Sequence, residues 1–189
     1  MRINASDEIA PKIAADMLSS EKLVIMPCDT IYGILGVCPE TEERISRIKG
    51  RAPDKPYIRL VSNPDEMVKL SKTDIPDELL SLLPAPLTLV LRDSGGLSVG
   101  VRVPDDPRLA GVLRQVGRPV FSTSVNTSGS PPLWKISEIL EEFGDVVDLI
   151  LDGGDLPGGM PSTILDITGK PFSIIRQGAC IVPNHLLES

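Results

Sequence analysis

The order of apolar runs along the chain constrains its fold more than any other feature of the sequence. Segments with apolar residues at helical spacing, such as Asp7–Ser20 and Thr41–Gly50, alternate with short apolar runs such as Lys22–Pro27, which is typical of a buried strand. Two later runs, "LTLVLR" and "LSVGVRVP", follow each other around the turn "DSGG". We therefore expect an α/β fold in a single domain, residues 1–189, with a twisted mixed sheet and flanking helices.

The residues at the ends of the predicted helices support these assignments. Ser6 can cap the helix over Asp7–Ser20. Thr41–Gly50 has acidic residues in its first turn and basic residues in its last, which suits the helix dipole, and the glycine ends it. Pro64 occupies the first position of another predicted helix, as proline often does.

Histidine and cysteine usage excludes several kinds of site. His185 is the single histidine, and Cys28, Cys38 and Cys180 are widely spaced with no CxxC motif. This argues against a zinc site and against a disulfide framework. It also argues against Ser-His-Asp and Cys-His catalysis, since a lone histidine near the end of a chain is usually a surface residue. A pI near 4.8 argues against a broad nucleic-acid surface but not against a small anion in a local basic pocket.

The chain contains no apolar run long enough to cross a membrane, a span that needs about 18 or more residues. Its first residues, "MRINASDEIAPKIAADM", carry acidic side chains and lack the apolar core of a signal peptide. We expect a cytoplasmic protein that does not contact a membrane.

A basic stretch, "RIKGRAPDKP", stands out in a chain whose formal net charge is −7. Lys49 and Arg51 flank a glycine at the end of a predicted helix, and Arg51 and Lys55 lie in a loop that prolines restrict. Lysine supplies a point charge and arginine a planar fork, a pairing common around phosphates. The alternative is a solvated basic loop whose cations merely complement the helix dipole.

Three polar loops and one arginine stand at the ends of predicted strands. "PCDTIYG" contains Asp29, Thr30 and Tyr32; "STSVNTSG" and "DGGDLPGGMPSTILD" are rich in hydroxyls, amides or glycines; and Arg176 ends the last strand. Taken singly, each feature has a simpler explanation. The first loop could be a turn in which Asp29 bonds its own backbone, and the second an ordinary Ser/Asn-rich turn. The third could be a loop that its glycines make flexible, and Arg176 could be a surface charge. Neither GxxxxGK[ST] nor GxGxxG occurs. Together the loops predict one cavity that positions a phosphate-bearing substrate and neutralises its charge.

Seven ordered segments resemble the YrdC-like family of threonylcarbamoyl-AMP synthases, in its single-domain form. They are "MPCDTIYGILG", "RIKGRAPDKP", "LPAPLTLVL", "VGVRVPDDP", "STSVNTSG", "GGMPSTILD" and "IIRQGA". The match extends over nearly the whole chain. It implies the YrdC-like fold, with a concave basic cleft.

The resemblance implies a reaction in which L-threonine, bicarbonate and ATP give threonylcarbamoyl-AMP and pyrophosphate. The product serves the threonylcarbamoyl modification of an adenosine in tRNA, and a tRNA threonylcarbamoyl-transferase complex would receive it. A weak direct contact with tRNA is left open. Magnesium would arrive with ATP, and we expect neither a protein-bound metal nor an organic cofactor.

Roles carried over from the family fall on eleven residues. Catalytic roles fall on Lys49 and Arg51; ATP or phosphate binding on Lys55, Thr123, Ser124, Asn126 and Arg176; and threonine binding on Thr30, Tyr32, Ser162 and Thr163. The chain departs from the family pattern at Cys28, Ala85 and Val125, where threonine, glycine and alanine are usual, and at Leu83, where tryptophan is common. None of these departures removes a charge, so they bear on the shape of the pocket.

Two other functions compete with the synthase. One is an RNA- or nucleotide-binding relative without synthase activity, which a concave face lined by Lys49, Arg51, Lys55, Arg102 and Arg176 would favour. The other is carbamoyl transfer in hydrogenase maturation, where similar domains sit in much longer chains with zinc-finger cysteines. A chain of 189 residues with three scattered cysteines does not match that pattern.

Overall fold

Aliphatic and β-branched runs form the strands of this protein, and amphipathic segments between them form its helices. A computed structural model describes residues 1–50 and 56–188. The strands in these residues are β1 (Arg2–Asn4), β2 (Val24–Pro27), β3 (Tyr32–Val37), β4 (Ile58–Leu60), β5 (Leu87–Arg92), β6 (Ser98–Arg102), β7 (Val120–Ser124), β8 (Leu149–Asp152), β9 (Thr163–Asp166) and β10 (Ser173–Arg176). The helices are α1 (Ala10–Ser19), α2 (Glu42–Lys49), α3 (Pro64–Leu70), α4 (Asp77–Ser81), α5 (Pro107–Val116), α6 (Ile136–Phe143) and α7 (Asn184–Leu187).

All of these strands join one sheet, in the order β1-β8-β2-β3-β7-β4-β6-β5-β9-β10. The pairs β1/β8, β2/β8, β4/β6 and β5/β9 are parallel, and the remaining neighbours are antiparallel. The predicted α/β fold, with a mixed sheet and flanking helices, is confirmed.

One half of the sheet is covered on both faces. Alternation along β2 directs Val24 and Met26 into a core with α1 and α5, and Ile25 into a second core with α2 and α6. In the other half, Leu89, Val101 and other residues of β5, β6 and β9 pack one face against α3, α4 and α7. The opposite face of these three strands is left to form the floor of a cleft.

The helix ends match the sequence patterns in part. Gly50 adopts a left-handed conformation with φ of 57° after α2, and Pro64 opens α3, both as expected. The predicted cap of α1 is wrong: the helix begins at Ala10, and no side chain caps it. Ser6 instead donates its backbone N–H and its hydroxyl to Asn4 Oδ1, at 2.9 and 2.8 Å.

Across residues 1–50 and 56–188, every helix is too short or too polar to cross a bilayer.

Candidate functional site

The register of the sheet lines up four side chains on four adjacent strands. Arg102 on β6 lies opposite Thr88 on β5, Thr88 opposite Ile164 on β9, and Ile164 opposite Arg176 on β10. Directly opposed residues share a face of a sheet, so this row points away from the core formed with α3, α4 and α7. The row therefore brings two arginines from distant parts of the sequence onto one surface.

A β-bulge places Arg176 on that surface. The register of β10 shifts between Ile174, which lies opposite Leu165 in the core, and Arg176, which lies opposite Ile164. Ile175 is the extra residue. In an uninterrupted strand, strict alternation would have put Ile175 on the cleft face and Arg176 on the core face.

The row lies beneath a cleft of about 290 Å³. Residues 28–33, from the turn after β2 and the first two positions of β3, form one wall, and Ser122–Ser124 of β7 form another. Pro161 and Ser162, at the end of the β8–β9 loop (153–162), contribute a third. Hydroxyl groups from three separate segments thus surround the two arginines.

Arg102 is held by an ion pair inside the cleft. Its Nη2 donates to Asp29 Oδ2 at 2.5 Å, and its Nη1 donates to Thr30 Oγ1 at 3.4 Å. The backbone N–H of Asp105 also donates to Asp29 Oδ2, at 3.0 Å. The side chains of Arg102 and Asp29 are only 7% and 5% exposed. Asp29 therefore bonds to another strand, whereas the simpler prediction had it bonding its own backbone.

Arg176 has a different environment. Its Nε and Nη2 donate to the carbonyl oxygen of Ser162 at 3.2 and 2.8 Å. No carboxylate of the described residues lies within 4.0 Å of its guanidinium. Burial lowers the pKa of Arg176, and the positive charge of Arg102 lowers it further. An anion between the two arginines would relieve that repulsion.

Lys49 lies behind the wall formed by β7. Its side chain is buried, with the residue 3% exposed, and Nζ donates to the carbonyl oxygen of Ser124 at 2.7 Å and to Asn126 Oδ1 at 2.6 Å. Asn126 Oδ1 also accepts from Ser124 Oγ at 2.6 Å, and its amide donates to the carbonyl oxygen of Ser130 at 2.6 Å. Lys49 and Asn126 thus shape the loop that carries Ser124.

Tyr32 and Thr163 are likewise tied to backbone. The Tyr32 hydroxyl accepts from the N–H of Gly153 and donates to the carbonyl of Gly154, both at 2.8 Å, at the start of the β8–β9 loop. Thr163 Oγ1 donates to the carbonyl of Cys180 at 2.5 Å and accepts from the Gly178 N–H at 2.9 Å. Both hydroxyls fix segments that border the cleft.

The residues predicted from the sequence therefore divide into three sets. Six line the cleft: Thr30, Tyr32, Thr123, Ser124, Ser162 and Arg176. Lys49, Asn126 and Thr163 are buried next to residues that line it. Arg51 and Lys55 lie outside the described residues.

Asp29 and Arg102 also line the cleft, although neither is among the eleven residues to which family roles were carried over. Both stand in segments that the family resemblance had marked, "PCDTIYG" and "VGVRVP". Its position at the carboxyl end of a predicted strand could have identified Arg102 as a site residue, because ligands in open α/β sheets bind near those ends.

Comparison with known proteins places most of this chain in one family. The Sua5_yciO_yrdC family model, described as "Telomere recombination", matches residues 16–178. A threonylcarbamoyl-AMP synthase of Pyrococcus abyssi is 34% identical over 88% of this chain, which spans 53% of that relative. A threonylcarbamoyl-AMP synthase of Shigella boydii is 30% identical, with 87% of this chain and 94% of the relative covered.

Solved structures agree with this comparison. The crystal structure of P. abyssi Sua5 complexed with L-threonine superposes with a TM-score of 0.84 at 32% identity, covering 94% of this chain and 57% of that one. The E. coli YciO crystal structure gives a TM-score of 0.81 at 23% identity, with 94% and 93% of the two chains covered, and shares the fold.

Proposed function

Because this chain belongs to the Sua5/YciO/YrdC family, we propose that it is a threonylcarbamoyl-AMP synthase, a nucleotidyltransferase that acts on L-threonine, bicarbonate and ATP. The observation that carries the proposal is the composition of the cleft. Arg102 and Arg176 meet hydroxyl side chains from three segments there, and Asp29 supplies the one carboxylate among the described lining residues. Such a site suits a substrate that carries several negative charges.

The proposed chemistry needs no nucleophile from the protein. The amine of threonine and bicarbonate form a carbamate with loss of water, and a carbamate oxygen attacks the α-phosphorus of ATP. The new O–P bond replaces the bond to the β-phosphate, and pyrophosphate leaves with the negative charge that develops. Positioning and charge stabilisation are then the main tasks of the protein.

The cleft supports a division of roles. Thr30 lies within reach of Arg102 at 3.4 Å, and we assign this end of the cleft to threonine. Ser162, whose carbonyl and hydroxyl oxygens accept from Arg176 Nη2, is assigned to threonine where it approaches the phosphates. Arg176, Thr123 and Ser124 are assigned to the phosphates.

Four of the predicted residues are given supporting roles in this scheme. We assign positioning roles to Lys49, Asn126, Tyr32 and Thr163, because each holds a backbone segment that borders the cleft. Arg51 keeps its proposed catalytic role, and Lys55 keeps its proposed role in binding ATP.

Magnesium is proposed to enter bound to the phosphates of ATP and to water. The described residues contain no group of three or more His, Cys, Asp or Glu side chains arranged to hold a metal ion. Asp29, the carboxylate in the described cleft lining, is already bonded to Arg102. The side chains present therefore fit a metal carried by the nucleotide better than a metal cage built by the protein.

The product is proposed to pass to a tRNA threonylcarbamoyl-transferase complex in the cytoplasm. The direct test is to incubate the protein with labelled L-threonine, bicarbonate, ATP and magnesium, and to separate the nucleotides. We expect labelled threonylcarbamoyl-AMP and an equal amount of pyrophosphate. ATP binding without any adenylate, under conditions where the Shigella boydii relative forms it, would refute the proposal.

A further inference from the structure

Thr88 is a buried polar residue on the cleft side of β5. It is 1% exposed and does not itself line the cavity. Parallel pairing sets Thr88 opposite Ile164, and Ser162 lies two residues before Ile164, so the side chains of Thr88 and Ser162 meet on the same face of the sheet. Their hydroxyl oxygens are 2.9 Å apart. Among the described residues, Ser162 is the only hydrogen-bond partner of the Thr88 hydroxyl.

Ser162 in turn holds Arg176 through two oxygens. Its carbonyl oxygen accepts from Nε at 3.2 Å and from Nη2 at 2.8 Å, and its hydroxyl oxygen accepts from Nη2 at 3.3 Å. A guanidinium can only donate hydrogen bonds, so the Ser162 hydroxyl is the acceptor in this contact. Thr88, Ser162 and Arg176 therefore form a chain of hydrogen-bonded side chains that leads from the interior of the sheet to the cleft.

The burial of Thr88 fixes the direction of the hydrogen bonds in this chain. If Ser162 donated to Thr88, the proton of the Thr88 hydroxyl would be buried without an acceptor among the described residues, which is costly. Thr88 is therefore the donor. The Ser162 oxygen then accepts from both Thr88 and Arg176, and its own proton is left for a ligand, since Ser162 lines the cleft.

We propose that Thr88 is a positioning residue for the anionic substrate: it turns the Ser162 hydroxyl so that this group holds Arg176 and donates its proton into the cleft. An anion bound there meets a cation and a hydroxyl donor whose directions are set before it arrives. The identification of this anion with the phosphates of ATP or pyrophosphate rests on the proposed function, whereas the direction of the hydrogen bonds does not.

The test measures binding of inorganic pyrophosphate by calorimetry to the full chain and to Thr88→Val. Valine has nearly the shape of threonine but cannot donate, so the Ser162 hydroxyl is free to turn away from the ligand and from Arg176. We expect binding about three- to tenfold weaker, the effect of one lost hydrogen bond. Thr88→Ser restores the hydroxyl and should bind within about twofold of the unmodified protein. Unchanged binding by Thr88→Val, or no recovery in Thr88→Ser, would overturn the proposal.

A second pair of variants shows whether Thr88 acts through Ser162. Ser162→Ala removes the hydroxyl and keeps the carbonyl that Arg176 contacts. If Thr88 acts through that hydroxyl, adding Thr88→Val to Ser162→Ala should weaken pyrophosphate binding by no more than about twofold further. A further loss as large as that in the unmodified background would show that Thr88 acts by another route, such as the Arg102 side chain opposite it, and would contradict the proposal.

Thr41→Val is the matched control. Thr41 is 2% exposed, its hydroxyl donates to the Val37 carbonyl at 2.9 Å, and it does not line the cleft. The substitution removes one buried threonine hydroxyl in the same way, so a general effect of that loss on the fold would appear in both variants. We expect Thr41→Val to bind pyrophosphate within about twofold of the unmodified protein, and an equal loss in both variants would contradict a local role for Thr88.

Thr88→Ala gives the same test if Thr88→Val fails to fold, because it removes the hydroxyl without placing a methyl group against Ser162. Urea unfolding of each variant separates binding from stability: reduced stability with normal pyrophosphate binding would show that Thr88 is structural only. No binding by the unmodified protein would refute the phosphate role of Arg176, and this inference with it. Binding that depends on Thr88, in a protein that forms no threonylcarbamoyl-AMP, would refute the synthase and leave the inference standing.

Discussion

At Lys49, a charged side chain is buried in the described structure and donates to the Ser124 carbonyl and to Asn126 Oδ1. Ser124 lines the cleft, and Lys49 does not. The contribution of Lys49 to the site therefore includes the shape of the loop after β7. If Lys49 only complemented the dipole of α2, it would contribute at most about 1 kcal/mol to the free energy of unfolding.

We expect Lys49→Ala to lower both stability and activity. The Ser124 carbonyl and Asn126 Oδ1 would lose a charged donor, which costs about 1–3 kcal/mol in the free energy of unfolding. Adenylate formation should fall by about two to three decades, the usual cost of misplacing a preorganised group in a closed site. Urea unfolding and the rate of pyrophosphate release measure the two effects.

Lys12→Ala is the control for this prediction. Lys12 bonds Asp16 on the surface, with its side chain 72% exposed, so its loss should change stability by less than about 1 kcal/mol and leave the rate unchanged. A Lys49→Ala variant with normal stability and a normal rate would show that the loop keeps its shape without the ammonium.

Cys28, on the wall of the cleft, gives a prediction about reactivity. Burial, reinforced by the negative charge of Asp29, raises the pKa of its thiol from 9.0 to about 12. At pH 8 the fraction of Cys28 present as thiolate is then about a thousandth of the fraction that a pKa of 9.0 would give. A thiolate of higher pKa is a stronger nucleophile, which offsets part of the resulting loss in reaction rate. We expect iodoacetamide to label Cys28 at least about tenfold more slowly in the native protein than in urea, and faster as the pH rises toward 12. Peptide mass spectrometry would follow the time course, and equal rates in the two states would contradict the expected environment.

On the scale of one element, the β8–β9 loop links two walls of the cleft. The Tyr32 hydroxyl bonds Gly153 and Gly154 at the start of the loop, and Ser162 at its end is bonded by Thr88 and Arg176. Between these points, the loop packs closely against the backbone beside Thr30. The positions of Thr30 and Ser162 are therefore set together.

Gly159→Ala should disturb this arrangement. A Cβ at Gly159 would collide with the carbonyl oxygen of Thr30, so the loop or the Thr30 segment must shift. We expect the KM for threonine to rise by about tenfold or more, since displacements near 1 Å are costly in such sites. Steady-state kinetics with threonine as the varied substrate would measure the change.

Gly169→Ala provides the comparison, because a Cβ at Gly169 meets no described atom within 4 Å. Its kinetics should match those of the unmodified protein. Unaltered threonine kinetics in Gly159→Ala would mean that the loop adjusts freely and does not set the position of Thr30.

On the scale of the whole molecule, carboxylates link segments that are distant in sequence. Asp148 Oδ2 accepts from the Leu23 N–H at 2.8 Å and from Arg44 Nη1 at 2.7 Å, which ties the start of β8 to β2 and α2. Burial by itself would raise the pKa of Asp148. The hydrogen bonds from Arg44 and Leu23 outweigh it, so the pKa lies below its ordinary value of 3.8. Asp152 and Asp93 also have lowered pKa values, with Arg2 and Arg59 as their partners.

These lowered values predict a loss of stability in acid. A carboxyl group whose pKa is lower in the folded state stabilises the fold fully above its unfolded value, here near 3.8. That stability is lost as the pH falls through the folded value. These carboxyl groups should leave the urea midpoint of unfolding nearly constant between pH 7 and pH 5. We expect them to lower the midpoint once the pH drops under about 4.

Asp148→Asn isolates one of these groups. It should be less stable than the unmodified protein at pH 7 and should lose less stability between pH 4 and pH 2. Parallel stability curves for the two proteins over that range would show that Asp148 has the same pKa in the folded and unfolded chains.

The sequence by itself determined the α/β class, the mixed sheet, and the polar segments from which the cleft is built. These follow from local causes: alternation of apolar residues, turn residues such as Gly50, and proline at helix starts such as Pro64. Only the tertiary structure decided which polar residues face the cleft. Arg176 reaches it through a bulge at Ile175, and Arg102 is joined to Asp29, 73 residues away in sequence. Strand register and long-range pairing depend on how the whole sheet packs, and no local pattern in the sequence specifies them.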